Sequence, residues 1–293
     1  MPDWDEIAAQ LPGPSLGEPV GSTPVGGGCI NAGWRLARGE ERFFVKTNRA
    51  AMLAMFEAEL AGLEAMSRAG GIRVPAPLAT GVSNDDAWIV MEWIEPGPAN
   101  ARSEELLGEG LAQLHRATAT TFGWCRDNTI GSTPQHNDPS ADWPCFYARH
   151  RLGFQLELAA ANGWAAELRD RGRRLAERVG CFFSDYQPIP SLLHGDLWGG
   201  NWAADQGGSP FVFDPAVYYG DREADLAMTE LFGGFGRRFY DAYRSAWALD
   251  NGYAVRRDLY NLYHVLNHLN LFGGSYLGRA RSLIDRLLAE AGG

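Results

Sequence analysis

The segment Glu95-Pro96-Gly97-Pro98 divides this chain into two parts with different patterns, and this division restricts the fold more than any other feature. Before it, five short stretches have the character of strands, and one stretch, from about Ala50 to Arg68, has the composition of a helix. After it, most of the chain has helical character. At about 150 residues per domain, the 293 residues suffice for two lobes. We expect an α+β fold with a strand-rich lobe at 1–94, a linker at 95–98 and a mostly helical lobe at 99–293.

The element boundaries follow from turn and cap signals. Arg38-Gly39-Glu40 predicts a turn, so the second and third strands are expected to form a hairpin. Ser103 is expected to cap a helix that runs to about Thr118. The strands are predicted at Leu16–Val25, Cys29–Ala37, Arg42–Thr47, Arg73–Val82 and Ala87–Ile94. Further helices are predicted at 145–161, 164–180, 221–232, 236–249, 257–271 and 275–290, with a strand-rich patch from Leu192 to Tyr218.

Composition and charge exclude several classes of partner. Acidic residues outnumber basic ones, 36 to 26, and the formal net charge of −10 argues against binding nucleic acid or an anionic membrane. No apolar run approaches the roughly 20 residues of a membrane helix, and the acidic start of the chain lacks the layout of a secretion signal. The four cysteines are scattered without a CxxC pair, so we expect a cytoplasmic protein without disulfides.

Lys46 is the only lysine among 26 basic residues. Arginine replaces lysine at most solvated positions, but not where a compact ammonium on a flexible stem must meet a phosphate group. Its position at the end of a predicted strand therefore indicates a functional site. The alternative is a chance survivor of a bias in the coding DNA.

Glu59 lies in the middle of the apolar face of the helix predicted at 50–68, where burial of a carboxylate is costly unless it is paired. Lys46, one strand earlier, is the natural partner. The alternative is that Glu59 reaches solvent at the edge of the sheet.

The run His194-Gly195-Asp196-Leu197-Trp198-Gly199-Gly200-Asn201 has the His-x-Asp and Asp-x4-Asn spacing of the catalytic loop of protein kinases. In that chemistry the Asp accepts or orients a hydroxyl proton, and the Asn offers an amide oxygen to a divalent cation. Asp214 follows the apolar run Phe211-Val212-Phe213, where a second ligand for Mg²⁺ is expected. A glycine-rich turn and a solvated strand end are the alternatives.

A glycine-rich segment, Gly26-Gly27-Gly28-Cys29, lies between the first two predicted strands. Its backbone N–H groups could cover phosphates, although no Gly-Lys-Ser/Thr of a Walker A loop exists anywhere in the chain. A plain hairpin turn is the alternative. Cys29 is either a redox-sensitive thiol or an ordinary cysteine of that turn.

Together these residues resemble the fructosamine kinase, or ketosamine-3-kinase, family, and the matching motifs extend in order from about residue 15 to 285. The core Asp-Leu-Trp-Gly-Gly-Asn followed by Asp-Pro-Ala is fairly specific against related aminoglycoside and choline kinases. Additional matches are Phe43-Phe44-Val45-Lys46, Phe56-Glu57-Ala58-Glu59, Ile130-Gly131-Ser132-Thr133-Pro134-Gln135, Tyr219-Gly220-Asp221-Arg222-Glu223, Phe232-Gly233-Gly234-Phe235 and Tyr263-His264-Val265-Leu266-Asn267-His268.

The resemblance implies a protein-kinase-like fold of the aminoglycoside phosphotransferase type, with an antiparallel five-stranded sheet and one main helix in the first lobe. It further implies that ATP, with Mg²⁺, phosphorylates the 3-hydroxyl of a ketoamine, such as a ribulosamine or fructosamine, after which the adduct is labile and deglycation follows. The residues present leave open which ketoamine is preferred, and whether it is a free small molecule or a protein-bound lysine adduct. They also leave open whether the acceptor is instead an aminoglycoside, choline or homoserine. A catalytically inactive kinase-like binding protein is the third reading.

The resemblance also implies roles for individual residues. Asp196 would accept the proton, while Asn201 and Asp214 would hold Mg²⁺. Lys46 with Glu59 would position the α- and β-phosphates. The remaining positions are Met91, Glu92 and Trp93, which would meet adenine at the hinge, Gly26, Gly27 and Gly28 over the phosphates, and Trp198 as the family's mark in the catalytic loop.

Some residues near the motif have two readings from chemistry alone. The indole of Trp198 suits the apolar face of a sugar, or it packs the loop onto the helical lobe. His194 is expected to hold the loop by a hydrogen bond. Asp221, Glu223 and Asp225 attract the amine end of a ketoamine, or they start a helix whose dipole they offset, which we favour.

Overall fold

A computed structural model describes residues 2–13, 20–26, 30–164 and 166–292. Gly27, Gly28 and Cys29 of the glycine-rich segment expected over the phosphates lie outside the described residues. The first part of the strand predicted at Leu16–Val25 also lies outside them. In the described part of the chain, no helix is both long and apolar enough to cross a membrane.

Five antiparallel strands form the sheet of the N-terminal lobe, in the order β1-β2-β3-β5-β4. The turn between β2 and β3 contains Gly39 at a φ of 56°, a left-handed conformation that glycine adopts without strain. The strands are β1 (Val20–Val25), β2 (Ala32–Arg38), β3 (Glu41–Arg49), β4 (Pro77–Ser83) and β5 (Asp86–Glu92).

The alternation of side chains along these strands gives the sheet two covered faces. Leu36 and Val45 point to one face, which packs against helix α1 (Trp4–Ala9), an element that the sequence did not predict. Ile89 and Met91 point to the other face. There, helix α2 (Leu53–Ala69) buries the apolar stripe predicted from its sequence, after a short 3₁₀ turn at Ala50–Met52.

The C-terminal lobe is mostly helical, as predicted. Its core contains buried aromatic and aliphatic side chains around Trp143 and Tyr260. The helices are α3 (Ala101–Leu114), α4 (Trp143–Phe146), α5 (Phe154–Ala161), α6 (Ala166–Ala176), α7 (Glu223–Leu231), α8 (Arg237–Ala246), α9 (Tyr253–Phe272) and α10 (Leu277–Glu290). A π-helical turn, Tyr147–Gly153, joins α4 to α5, and 3₁₀ turns occur at Val179–Phe183 and Gly274–Tyr276.

Short strands of the C-terminal lobe flank the segments that carry the predicted site residues. They form three small antiparallel groups, one of three strands and two of two strands. These strands are β6 (Pro96–Gly97), β7 (Asn128–Ile130), β8 (Thr133–Gln135), β9 (Ser191–Leu193), β10 (Trp202–Asp205), β11 (Pro210–Val212) and β12 (Tyr218–Gly220).

The predicted linker 95–98 is not a free connection. Its strand β6 pairs with β10, with Gly97 opposite Ala204. A Cβ at Gly97 would lie 2.5 Å from the carbonyl oxygen of Asp205, so this close pairing requires glycine. The linker is therefore held against the C-terminal lobe.

The predicted cap at Ser103 was wrong. Asn100 caps α3, because its side chain accepts hydrogen bonds from the backbone N–H groups of Arg102 and Ser103. Ser103 is the third helical residue, and its hydroxyl accepts from the backbone N–H of Asn100, which completes a capping box. The same hydroxyl donates to the carbonyl of Gly208 at 2.6 Å, so it is buried between α3 and the β10–β11 turn.

Candidate active site

Lys46 joins the two lobes at the bottom of the cleft. Its ammonium lies 2.5 Å from Glu59 Oε1 on α2 and also donates a hydrogen bond to Asp214 Oδ1, 168 residues further along the chain. The side chain of Lys46 is 8% exposed and that of Glu59 is 10% exposed. Burial alone would lower the pKa of Lys46, but the carboxylates of Asp214 and Glu59 outweigh burial and raise it. The ammonium therefore keeps its charge inside the cleft.

The segment 194–201, which we call the catalytic loop after the kinase motif that it resembles, begins directly after β9 and is attached to the segment that follows Asp214. Ala216 donates its backbone N–H to the carbonyl of His194 at 2.8 Å. Gly195 has a φ of 82°, and a Cβ there would lie 2.1 Å from the carbonyl oxygen of Ala216. Only glycine fits, which explains the His-Gly-Asp order of the motif.

His194 supports the loop from inside, as expected. It is fully buried, and burial lowers its pKa, so the ring is neutral. Nε2 donates to the carbonyl of Phe213 at 3.0 Å, and Nδ1 accepts the backbone N–H of Asp196 at 3.3 Å. The ring thus links the loop that carries Asp196 to the residue before Asp214.

Asp196 lies among buried groups and other carboxylates. Burial, followed by the nearby charges of Asp214 and Asp225, raises its pKa to about 7. The amide of Asn201 donates to the backbone carbonyl of Asp196 at 2.9 Å. A carboxylate with this pKa is suited to accept a proton near neutral pH.

Asn201 and Asp214 supply oxygen atoms that suit a magnesium ion. The backbone N–H of Phe213 donates to the carbonyl of Asn201 at 3.0 Å, which brings the two candidate ligands side by side. Asn201 uses its Nδ2 within the loop, and no residue that the structure describes donates to its Oδ1. Amide and carboxylate oxygens are the donors that Mg²⁺ prefers, so these residues fit the ion. Asp214 holds a left-handed φ of 58°, which is uncommon outside glycine and typical of functional sites.

Asp225 supports the start of this loop, a structural role that the sequence did not reveal. It is 1% exposed and accepts the backbone N–H groups of His194 and Gly195 at 2.7 and 2.8 Å. His115 Nε2 lies 3.1 Å from the same carboxylate. Burial would raise the pKa of Asp225, but the hydrogen bonds and charge of His115 outweigh it and lower the pKa.

The interpretation of Asp221, Glu223 and Asp225 as helix-starting acids was therefore incomplete. All three carboxylates are buried, and each has its own partners. Asp221 accepts from Tyr260 and Tyr186, and Glu223 pairs with Arg256 at 2.7 Å. Three acidic residues within a stretch of five were the available sequence signal for these buried pairs, because a buried carboxylate needs a hydrogen-bond or ionic partner.

The hinge residues lie where β5 leaves the sheet. Met91 is buried in the core, and the side chain of Glu92 is held by Arg73 at 2.6 Å. Trp93 packs near Phe44, with 6.3 Å between the ring centroids. The side chains of Met91 and Glu92 are thus used within the protein, and both residues pair with β3 in the sheet. The backbone N–H of Glu92 also donates to the carbonyl of Ala76 at 2.8 Å. Gly26 directly follows β1, and a Cβ there would meet no atom of the described residues within 4 Å.

Trp198 lies within the catalytic loop, and the residue is 40% exposed. Its ring lies over Gly200, where a Cβ would come within 2.3 Å of the indole. Glycine at position 200 therefore allows the ring to lie flat against the loop while its other face stays accessible.

The two-lobe fold, with a lysine–glutamate pair, a catalytic loop and a second acidic segment in one cleft, defines a kinase-like phosphotransferase. The fold alone is shared with an aminoglycoside phosphotransferase, APH(4)-Ia, at 13% identity and a TM-score of 0.63. A sequence profile of the fructosamine kinase family matches residues 4–290, and the chain belongs to this family.

Named relatives cover almost all of the chain. A "probable ketoamine kinase" of Synechocystis sp. is 46% identical over 289 residues, 97% of each chain. The chloroplastic protein-ribulosamine 3-kinase of Arabidopsis thaliana is 46% identical over 267 residues, 90% of this chain and 81% of the relative. A crystal structure from Thermobifida fusca, provisionally described as a fructosamine-3-kinase, is 31% identical with a TM-score of 0.82 and covers 97% of this chain and 99% of that one.

Proposed function

We propose that this protein uses ATP to phosphorylate the 3-hydroxyl of ketoamines such as ribulosamines or fructosamines. Membership of the fructosamine kinase family and the names of the relatives support this reaction. The observation that carries it is the meeting of Lys46, Glu59 and Asp214 beside Asp196 and Asn201 in one cleft. This set supplies a cation, a proton acceptor and oxygen ligands, the parts that phosphoryl transfer requires.

The nucleotide is expected in the cleft between the lobes at 1–94 and 99–293. Backbone groups of Met91, Glu92 and Trp93 would meet the adenine, and Gly26 with the following glycines would lie over the phosphates. Lys46, oriented by Glu59, would hold the α- and β-phosphates. Asn201 and Asp214 would hold Mg²⁺, which offsets negative charge on the phosphates when bound. Among the residues that the structure describes, no group of three or more His, Cys, Asp or Glu side chains forms a complete metal site, so phosphates and water must complete the ligand set.

Asp196 takes the proton from the acceptor hydroxyl as its oxygen bonds to the γ-phosphorus. The bond between that phosphorus and the β–γ bridging oxygen breaks, and ADP retains this electron pair. His194 and Asp225 hold the loop so that Asp196 stays aligned with the hydroxyl. Trp198 stacks on the sugar. The phosphorylated ketoamine is labile, so deglycation of the amine follows. The exposed thiols of Cys125, Cys145 and Cys181 are unpaired, which suits the reducing cytoplasm that we propose as its location.

The direct test is to supply a ribulosamine and a fructosamine side by side with Mg-ATP and to measure ADP release and the phosphorylated product. We expect turnover of at least one ketoamine. Asp196→Asn removes the proton acceptor and should lower kcat by about 1,000-fold, within the range of general-base catalysis. ATP binding and the circular dichroism spectrum of this variant should be unchanged.

Three results would contradict the proposal or the role of Asp196 in it. Turnover of an aminoglycoside, choline or homoserine with none of either ketoamine would assign a different acceptor to the same fold. No turnover of any acceptor, with ATP still bound, would indicate a binding protein. Undiminished turnover in Asp196→Asn would remove Asp196 from its role.

A further inference from the structure

Exposed aromatic side chains occur in the catalytic loop and in a cluster that adjoins it. Among the residues that the structure describes, the exposed large aromatics are Trp198, Phe232 and Phe272, which are 40%, 39% and 50% exposed. Contiguous exposed apolar surface is rare in soluble proteins and marks binding sites. Trp198 already has an expected role toward the sugar, whereas Phe232 and Phe272 have none in the reaction described so far.

Phe232 and Phe272 belong to one cluster with His268 and Tyr276, which we call the His268 cluster. The ring centroid of His268 lies 4.8 Å from that of Phe232, 5.3 Å from that of Phe272 and 5.2 Å from that of Tyr276. These rings come from the end of α7, the last turns of α9 and the 3₁₀ turn after it. They surround a partly buried imidazole with apolar faces.

The His268 cluster adjoins the catalytic loop through a contact between glycines. A Cβ at Gly199 would lie 3.1 Å from the carbonyl oxygen of Gly233 and from the Cα of Gly234. Gly199 follows Trp198 directly, and Gly233 follows Phe232. On the other side, Leu271 at the end of α9 reaches Gly131, where a Cβ would lie 3.0 Å from Leu271 Cδ1. The Phe232 end of the cluster therefore lies against the loop that carries Asp196 and Trp198.

The imidazole of His268 presents a hydrogen-bond acceptor to this surface. Its Nδ1 lies 2.8 Å from the carbonyl oxygen of His264, which can only accept, so Nδ1 carries the proton. Burial lowers the pKa of His268, which keeps the ring neutral. Nε2 therefore has a free lone pair, and no residue in the described ranges donates a hydrogen bond to it.

We propose that the His268 cluster binds the substituent that the amine contributes to the ketoamine, an inference that rests on the proposed function. Only three carbon atoms separate the amine nitrogen of a ketoamine from its 3-hydroxyl oxygen. When that hydroxyl meets Asp196, the nitrogen must lie close to the catalytic loop, and its substituent must leave along a neighbouring surface. The rings accept an alkyl or aryl group, and Nε2 of His268 accepts the amine N–H.

The charge near the cluster indicates which amines fit. Arg279 donates to the carbonyl of Leu231 at 3.3 Å, and its positive charge contributes to the lowered pKa of His268. A second cation on the substituent would be repelled there, whereas an apolar or carboxylate-bearing group would be accepted. We therefore expect amines with one nitrogen to be preferred over diamines.

The test compares N-benzyl and N-methyl ketoamines made from one sugar. The measured quantity is the ratio of kcat/KM for the benzyl compound to kcat/KM for the methyl compound. We expect this ratio to fall at least tenfold in Phe272→Ala, which removes one wall, mainly through KM. His268→Phe keeps a ring but removes the acceptor, and should raise KM for both compounds. Val82→Ala is the control, because Val82 is also 39% exposed but lies on β4 of the other lobe.

The outcomes separate this proposal from the proposed function. Unchanged ratios in Phe272→Ala, together with an unchanged KM in His268→Phe, would overturn the binding role while leaving ketoamine phosphorylation in place. Failure of the unaltered protein to phosphorylate any ketoamine would overturn both. Dissociation constants of the two compounds, measured in an Asp196→Asn background, should show the same loss for benzyl if the cluster acts in binding.

Discussion

At the scale of single residues, the cleft depends on one ammonium shared by two carboxylates. Lys46 bonds to Glu59 and Asp214 from within strand β3, where Gly33 is its neighbour across the β2–β3 pair. A buried ion pair contributes little net stability, but removal of one partner leaves an uncompensated charge. Position 46 therefore requires a compact ammonium group in addition to a positive charge.

The Lys46→Arg variant tests this requirement for a compact ammonium group. The planar guanidinium is larger than an ammonium and cannot keep both short contacts, so we expect kcat/KM for ATP to fall about 100-fold, comparable to loss of a preorganised charge. Steady-state kinetics with varied ATP measures the effect. Arg49→Lys in the same strand is the control, since Arg49 is exposed and should tolerate the exchange. Full activity of Lys46→Arg would show that only the charge matters.

Asp225 acts on the reaction through the loop. Asp225→Asn places an amide against the backbone N–H groups of His194 and Gly195, so buried donors lose a partner. We expect a loss of about 2 kcal/mol in the free energy of unfolding and at least a tenfold lower kcat. Urea denaturation and initial rates measure both quantities. Asp241→Asn is the control, because among the residues that the structure describes Asp241 pairs with Arg237 alone, and such an exposed pair is worth under about 1 kcal/mol. A variant with normal kcat would contradict the positioning role.

At the scale of elements, close packing rather than helix propensity explains several glycines. Gly110 lies inside α3, where a Cβ would come 2.5 Å from the carbonyl oxygen of Gly71, just after α2. Gly278 lies in the first turn of α10 with open space around it. Both residues look alike in sequence, since each is a glycine in a helix.

The two glycines should respond oppositely to alanine. Gly110→Ala forces α2 and α3 apart and should destabilise the protein by about 1–3 kcal/mol, as overpacking does. Gly278→Ala has room and reduces the freedom of the unfolded chain, so it should stabilise by up to about 1 kcal/mol. Thermal or urea unfolding of both variants gives the comparison. Equal effects would mean that the contact between Gly71 and Gly110 has no influence on stability.

At the scale of the whole molecule, the lobes are joined by polar contacts around the cleft. Arg126 of the C-terminal lobe donates to the carbonyl and the carboxylate of Glu57 on α2, at 3.3 and 3.2 Å. Arg73 lies 3.0 Å from Asp205 of β10. Together with the Lys46–Asp214 pair, these contacts hold the lobes in register across the cleft.

The buried histidine His264 makes the stability of the molecule depend on pH. Burial lowers its pKa to about 3, far below the ordinary value near 6.5, so only the unfolded chain is readily protonated. Because the unfolded chain binds the proton and the folded protein does not, the free energy of unfolding decreases as pH falls below 6.5. At pH 5 the cost is about 2 kcal/mol relative to pH 7.5.

The His264→Leu variant should lose this dependence. The difference in free energy of unfolding between pH 7.5 and pH 5 should shrink by about 2 kcal/mol, whatever the variant's absolute stability. Part of the dependence should persist because burial also lowers the pKa of His194. Urea titrations at the two pH values measure the difference. The same difference in free energy of unfolding between pH 7.5 and pH 5 in both proteins would show that His264 is accessible to protons in the folded state.

Prediction from sequence succeeded where the signal is local. The strand–helix order, the apolar stripe of α2 and the glycine turn at Gly39 follow from patterns within a few residues, and the α+β two-lobe fold was confirmed. The cap of α3 was placed wrongly because Asn100 and Ser103 both have capping side chains. Strands of three residues, such as β7, have too few residues to show a pattern, and they form only because the chain around them pairs them.

The sequence by itself determined which chemistry is available: a lone lysine, an Asp and an Asn at fixed spacing, and an Asp after an apolar strand. The tertiary structure alone decided the partners of these groups. It placed Asp214 on Lys46 across 168 residues and turned Asp225 inward to hold the catalytic loop. It also raised the pKa of Asp196 to about 7. Spacing is a property of the local chain, whereas burial and electrostatic fields depend on distant segments that meet only on folding.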